Sequence, residues 1–183
     1  LKPTIDDGED AQPLEDGPGN IRFENVTFSY DEKSVIHDAS LSIEAKQFVA
    51  VVGRSGSGKS SLLRLAARRY DPGAGRVLID GQDVRTSQLS SVRRAIAVVP
   101  QRPLMFTGTI LENIRLGRPD ATEAEVIDAA QAAGAHEFID RLEQKYETKI
   151  GRGGASLSGG EMQRIAIARA VVSGARIMLL DEP

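Results

Sequence analysis

Residues Gly53 to Ser60 read G-R-S-G-S-G-K-S and fill every fixed position of the pattern G-x-x-x-x-G-K-[ST]. A loop of this composition is built to hold phosphate. Gly53, Gly56 and Gly58 let the backbone curl until several N–H groups point at one anion, with Arg54, Ser55 and Ser57 between them. A helix starting near Lys59 adds the positive end of its dipole. Lys59 then reaches the β- and γ-phosphates of a nucleotide, the Ser60 hydroxyl is a candidate ligand for Mg²⁺, and Ser61 follows at the start of the helix. The motif needs a strand before it and a helix after it. Phe48-Val49-Ala50-Val51-Val52 is strand-like, and Ser61-Leu62-Leu63-Arg64-Leu65-Ala66-Ala67 has a helical pattern. A plain Gly/Ser connection would require neither flank.

A second group of chemistry-bearing residues closes the chain. Ile177-Met178-Leu179-Leu180 is a continuous apolar run, as expected of a strand buried on both faces of a parallel sheet. Asp181 and Glu182 follow at its C-terminal end, where open α/β sheets place their ligands. In a nucleoside triphosphatase Asp181 would bind Mg²⁺ and Glu182 would polarise the attacking water.

A third lies between them. Leu157-Ser158-Gly159-Gly160-Glu161 opens a helical run through Met162 to Ala170. Ser158-x-x-Glu161 is a capping box, which by itself explains a helix start. A capping box does not require Gly159 and Gly160, however. Two glycines there suit a backbone that something else approaches closely, and a glycine-flanked helix N-terminus carrying a serine is a second phosphate-binding surface. One phosphate loop already serves one nucleotide, so the second surface implies a γ-phosphate shared between two copies of the domain.

The elements that must position these groups follow from pattern. Residues 1–19 are rich in Asp, Glu, Gly and Pro and read as a solvated, disordered acidic linker. Strand patterns begin at Ile21 and at Ala39, and recur at Arg76–Asp80 and Ala95–Val99. From about Thr109 to Leu142 the pattern is helical, with Thr122-x-x-Glu125 as a capping box and Gly134 as a stop. This block is expected to form a helical subdomain, residues 103–172 at its widest, inserted into an α/β core that spans 20–183. Strands alternating with helices imply a mainly parallel sheet.

Composition narrows the chemistry. The 183 residues suffice for one domain with a real core, and 40% hydrophobic with 27% charged residues is ordinary for a globular protein. With no cysteine there are no disulfides, thiolates or Cys-type zinc sites, and His37 and His136 form no metal-ligand spacing. A net charge of −3 gives no reason to expect nucleic acid as a partner. No apolar run approaches the ~20 residues that span a bilayer. Both ends read as cut, so the chain is expected to belong to a longer polypeptide.

The three motifs, in this order and spacing, resemble the nucleotide-binding domain of an ATP-binding cassette (ABC) transporter. Residues 53–60 match its Walker A loop, Leu157 to Glu161 its signature sequence, and residues 177–182 its Walker B strand with the catalytic glutamate. The resemblance runs from about Ile21 to Pro183 and is closest to exporters, whose membrane helices precede the ATPase on one chain. It implies a P-loop NTPase fold with an N-terminal antiparallel β subdomain and the inserted helical subdomain. By the same resemblance Tyr30, in Phe28-Ser29-Tyr30, stacks on adenine, although an ordinary edge-strand aromatic is the other reading of Tyr30. Gln101 matches the glutamine that contacts Mg²⁺ or the attacking water, and Leu104 to Ile114 follow the exporter pattern. Arg152 stands near a position where exporters often carry Glu, and Pro183 where they commonly have Ala.

The resemblance implies an ATPase with ATP and Mg²⁺ as ligands, and Lys59, Gln101 and Glu182 in its catalytic machinery. Its partners would be a second nucleotide-binding domain, identical or not, and a fused or associated transmembrane domain at the cytoplasmic face of a membrane. Two domains would close head to tail around two ATP molecules and power solute export. The 183 residues alone are expected to turn ATP over weakly, because the family's D-loop and switch histidine fall beyond Pro183. Two other readings stay open at this point: a soluble ABC ATPase that moves no solute, and a regulatory cassette that binds nucleotide with little turnover.

Overall fold

The computed structural model describes residues 5–31, 33–151 and 154–182. Arg152 and Pro183 lie outside the described residues. Two compact units divide between Ile96 and Ala97.

The first unit is built on a four-stranded antiparallel sheet. Its strands are β1 (Ile21–Tyr30), β2 (Lys33–Ile43), β3 (Ala74–Ile79) and β4 (Gln82–Asp83), in the spatial order β2-β1-β3-β4. Helices α1 (Lys59–Ala66) and α2 (Leu89–Ala95) complete it. Strand β1 changes face half way along. Ile21 and Phe23 are buried, and then Val26 and Phe28 are, so the buried parity moves from odd to even positions. A register shift between Glu24 and Thr27 marks the place, and Asn25 sits there at φ 49°. One extra residue in a strand turns every later side chain to the opposite face. Tyr30 therefore falls in step with Val26 and Phe28.

The acidic linker expected to be disordered is held against this unit. Leu14 is buried. The Gln12 N–H donates to the Thr86 carbonyl, and Gln88 N–H donates to that of Gln12. Leu14 N–H donates to Ser91 Oγ, and the N–H groups of Gly19 and Asn20 both donate to Asp80 Oδ1. Composition favoured disorder because the segment has one large buried residue to offer; hydrogen bonds along its backbone, which composition does not report, make up the difference. Arg68 fastens the upstream end. It is 3% exposed, and its guanidinium donates to the carbonyls of Asp6, Arg85 and Ser87 and faces the carboxylates of Asp7 and Asp71.

The run Phe48–Val52 is a second correction. It was expected to be the strand leading into the phosphate loop, yet among the described residues no strand is hydrogen-bonded to it, and Phe48 and Val52 are 91% and 88% exposed. Apolar β-branched composition states which surface a segment can bury, whereas a strand forms only where neighbours complete its ladder. Among the described residues, one strand pair of the second unit leads to the carboxylates at the end of the chain.

That pair is β5 (Ile96–Val99) with β8 (Ile177–Leu180). Between them come a short ladder of β6 (Gly108–Thr109) with β7 (Lys149–Ile150), and helices α3 (Ile110–Arg115), α4 (Glu123–Ala132), α5 (His136–Asp140) and α6 (Gly159–Val172). Helices α3, α4 and α6 each begin in a complete capping box, from Thr109, Thr122 and Ser158. Their apolar faces share one core that includes Ile110, Ile114, Val126, Ile139, Ile150 and Ile165. Gly117 lets the end of α3 meet α6, since a Cβ there would lie 2.0 Å from the Arg169 carbonyl oxygen. The two histidines have ordinary partners. His37 Nδ1 lies 3.3 Å from Ser34 Oγ, and His136 Nδ1 lies 2.9 Å from the hydroxyl of Tyr146, whose pKa burial pushes up to about 12.

Asn113, 1% exposed, organises the loop before α3. Its side chain accepts from Phe106 N–H and donates to the carbonyls of Phe106 and Thr109. Arg169, on α6, donates to the Asn113 carbonyl and side-chain oxygen and to the Leu104 carbonyl, with its guanidinium 5.7 Å from the Phe106 ring centre.

Two substitutions test these ties. Arg68→Met keeps the stem and removes the donors, and is expected to cost about 2–3 kcal/mol in urea unfolding while speeding proteolysis within residues 6–16; unchanged proteolysis would mean that Arg68 does not hold the segment. Asn113→Ala removes the partner of part-buried backbone groups of Phe106 and Thr109 and is expected to cost about 1–2 kcal/mol, which a urea midpoint within error of the parent would contradict.

Candidate functional site

The phosphate loop of the first unit has the helix its sequence requires after it, though not the strand before it. Helix α1 begins at Lys59, and Gly58, its N-cap, has φ 94°. A Cβ on Gly58 would also lie 3.2 Å from the Val35 carbonyl oxygen and 3.3 Å from its Cγ1, so conformation and close approach to β2 both demand glycine. Gly56 is left-handed as well, at φ 80°. Ser57 N–H donates to the Arg54 carbonyl, and Gly53 approaches the Ser57 hydroxyl. Lys59 Nζ donates to the carbonyls of Gly53 and Arg54, 3.0 Å each. The ammonium thus folds over its own loop, and a phosphate entering there offers it oxygens in place of those two carbonyls. Ser60 is half-buried, and Ser61 is buried.

Ser61 has a partner that sequence reasoning did not assign. Its hydroxyl lies 3.3 Å from the Tyr30 hydroxyl, and Arg64 Nη1 donates to the same Tyr30 oxygen at 3.0 Å. Tyr30 also meets Phe28 edge-on at 4.7 Å and Tyr70 at 5.2 Å with an interplanar angle of 90°. Tyr30 is therefore no isolated edge-strand aromatic. A signal for Arg64 was present: it stands three residues after Ser61, on the same face of α1. Tyr70 had no local signal, because its contact with Tyr30 spans the length of β2 and α1.

In the second unit, Asp181 and Glu182 stand directly beyond β8. Asp181 N–H donates to the Val99 carbonyl, which carries the strand pairing one step past Leu180. Glu182 has φ 49°, a left-handed conformation that costs a residue with a side chain and recurs at functional sites. Gln101, just past β5, donates its amide to Glu182 Oε2 at 2.5 Å. The structure thus brings Gln101, Asp181 and Glu182 together at the ends of adjacent strands.

The helix α6 begins at the other predicted surface. Glu161 Oε2 accepts from Ser158 N–H and Oγ, and Ser158 Oγ accepts from Glu161 N–H. The Ser158 hydroxyl and N–H hold the Glu161 pKa below its ordinary value. That clip is complete above the ordinary carboxylate range and is lost as pH falls through the lowered pKa. Gly159 and Gly160 have ordinary helical placement. A Cβ on Gly159 would meet nothing within 4 Å, and one on Gly160 would meet only the end of Arg164 at 3.8 Å. Among the described residues nothing requires glycine at either position.

The donors fit magnesium chemically. A serine hydroxyl, a glutamine amide and an aspartate carboxylate are the hard oxygen ligands that Mg²⁺ takes. Among the described residues no group of three or more His, Cys, Asp or Glu could hold a metal by itself, and no helix is long and apolar enough to cross a membrane.

The chain is similar to known proteins. A family model described as ABC transporter matches residues 36–183. The chain is 49% identical over 179 residues to ABC transporter B family member 19 of Arabidopsis thaliana, covering 96% of this chain and 14% of that protein. It is 45% identical to the ATP-dependent lipid A-core flippase of Syntrophus aciditrophicus (strain SB), over 100% of this chain and 30% of the flippase. A solved structure of a bacterial Atm1-family ABC exporter with ATP bound is 45% identical and superimposes with a TM-score of 0.92, covering 97% of this chain and 31% of that one. The chain thus spans less than a third of these relatives. With the phosphate loop, the capped glycine pair and the strand-end carboxylates all inside the matched region, the chain belongs to the ABC transporter family and is its ATP-binding domain.

Proposed function

We propose that this domain binds ATP with Mg²⁺, hydrolyses it, and in the full-length protein drives export of a solute across a membrane. The observation that carries hydrolysis is the Gln101–Glu182 hydrogen bond at the strand ends. A carboxylate fixed there by a neutral amide stays available as an acceptor for the attacking water, whereas a cationic partner would neutralise it. Water attacks the γ-phosphorus, the bond to the β–γ bridging oxygen breaks, and ADP leaves with that oxygen. Glu182 orients the water and accepts the proton it loses as the new P–O bond forms. Lys59 and the loop N–H groups from Gly53 to Ser60 hold the phosphates, with Ser61 behind them. Ser60, Gln101 and Asp181 would hold Mg²⁺, which when bound neutralises charge on the phosphate oxygens. Tyr30 supplies an aromatic surface for the adenine.

The open glycines Gly159 and Gly160, capped by Ser158 and Glu161, favour a second nucleotide-binding domain as partner. ATP held by the phosphate loop of one copy would meet Ser158 to Glu161 of the other, so ATP stabilises the closed pair by contacting both. A fused or associated transmembrane domain would convert closing and opening into transport at the cytoplasmic face of a membrane. The relatives' names support this reading over a soluble ATPase: one is a flippase and one an exporter. The residue boundaries that go with it are a core of residues 20–183 with the helical subdomain at about 103–172.

In the full-length protein in lipid vesicles, Glu182→Gln is expected to lower ATP hydrolysis by about 10²–10³-fold while ATP still binds and pairs the domains. Turnover at the parental rate would remove Glu182 from the mechanism. Lys59→Ala is expected to weaken ATP binding itself by at least about ten-fold, measured with a fluorescent nucleotide; unaltered affinity would count against the phosphate loop as the binding element.

A further inference from the structure

The contacts around Tyr30 do more than mark it as a nucleobase surface. The shift at Asn25 turns Tyr30 onto the face that carries Val26 and Phe28. There its hydroxyl accepts from Arg64 Nη1 and lies within hydrogen-bond distance of Ser61 Oγ. Since the Arg64 guanidinium can only donate, the Tyr30 oxygen accepts that bond and its own proton is available to Ser61. Between Tyr30 and Ser61 either hydroxyl can be the donor. Ser61 adjoins Ser60 in the first turn of α1, so the phenol is tied to the helix that carries the phosphate loop. The other end of the ring is set by its neighbours. Phe28 and Tyr70 each stand nearly perpendicular to it, an arrangement that the ring quadrupoles favour, and they also meet each other at 5.5 Å.

We propose that Arg64 and Tyr70 are positioning residues for nucleobase binding: Arg64 fixes the hydroxyl end of the Tyr30 ring and Tyr70 fixes its plane, so that base surface and phosphate loop form one rigid template. This rests on the reading of Tyr30 as the surface that adenine meets. A ring already held in place loses no rotamer freedom when the base arrives. The gain belongs to the base and not to the phosphates. Removing either support therefore weakens ATP while leaving a ligand that has no base untouched.

The test uses the full-length protein and two readouts: the KM for ATP, and inhibition of ATP hydrolysis by inorganic tripolyphosphate. Tyr30→Ala reports on the reading beneath. Arg64→Met and Tyr70→Leu report on the proposal. Both are expected to raise the KM for ATP about three- to five-fold with less than two-fold change in kcat and no change in tripolyphosphate inhibition. Tyr30→Phe, which removes only the hydroxyl, is expected to match Arg64→Met, and the two together to be no worse than either. Tyr70→Phe keeps the ring and is expected to return the KM toward the parental value. If Tyr30→Ala raises the KM but Arg64→Met and Tyr70→Leu do not, the positioning roles are overturned and the nucleobase reading stands. If Tyr30→Ala leaves the KM unchanged, the nucleobase reading itself falls. Weakened tripolyphosphate inhibition in Arg64→Met would place Arg64 on the phosphates and likewise overturn the proposal.

Discussion

One extra residue in β1 sets the face on which the first unit's chemistry stands. Up to Phe23 the odd positions are buried; from Val26 the even ones are. Without the shift at Asn25 the strand would keep its parity and turn Tyr30 away from α1. With it, Tyr30 meets Ser61 and Arg64, one turn into the helix that Gly58 launches. Gly58 in turn lies against Val35 of β2, the hairpin partner of β1. The phosphate loop and the aromatic trio are thus anchored to one hairpin, and the bulge decides which way that hairpin faces.

The second unit solves a different problem with a single helix. At its first turn α6 carries the Ser158–Glu161 clip, and near its last it carries Arg169. Arg169 reaches the carbonyls of Leu104 and Asn113, and Asn113 closes the loop at Phe106 and Thr109. Burial lowers the Arg169 pKa from the ordinary arginine value, yet the group remains charged and its donors are met by carbonyls and an amide rather than by a carboxylate. Such a clamp holds backbone in place without adding a second ion. The helix that begins at the glycine pair is thereby tied to the loop after Gln101.

Much of this was legible because it is local. The phosphate loop, the stop at Gly134, the helix from Gly159 to Val172 and the strand before Asp181 each announce themselves within a few residues. The capping box at Thr109 was written as plainly as those at Thr122 and Ser158, in Thr109-x-x-Glu112, but lay inside a run that was read for its family likeness. What escaped was long-range. The linker's order depends on Arg68 and on Asp80, some 60 residues away in sequence. The face of Tyr30 depends on a bulge that no alternation pattern displays, since Glu24 and Asn25 are both polar. Phe48–Val52 failed for the complementary reason: its composition names a strand, and a strand is a property of pairs.

Glycines separate what the fold needs from what function needs. At Gly117 a side chain would collide with the backbone of α6, and at Gly58 with β2. Those glycines are explained by this chain alone. At Gly159 a side chain would enter open space and at Gly160 it would make only ordinary contact with the end of Arg164, and neither residue adopts a left-handed backbone. Alanine in the first turn of a helix would be the more stable choice on propensity, by up to about 1 kcal/mol at each position. Forgoing this twice, directly beside a serine cap and at the positive end of a helix, is the feature on which the proposed second copy rests. In the proposed pairing, a phosphate presented by a second copy would meet the serine hydroxyl, the helix dipole and the bare backbone together.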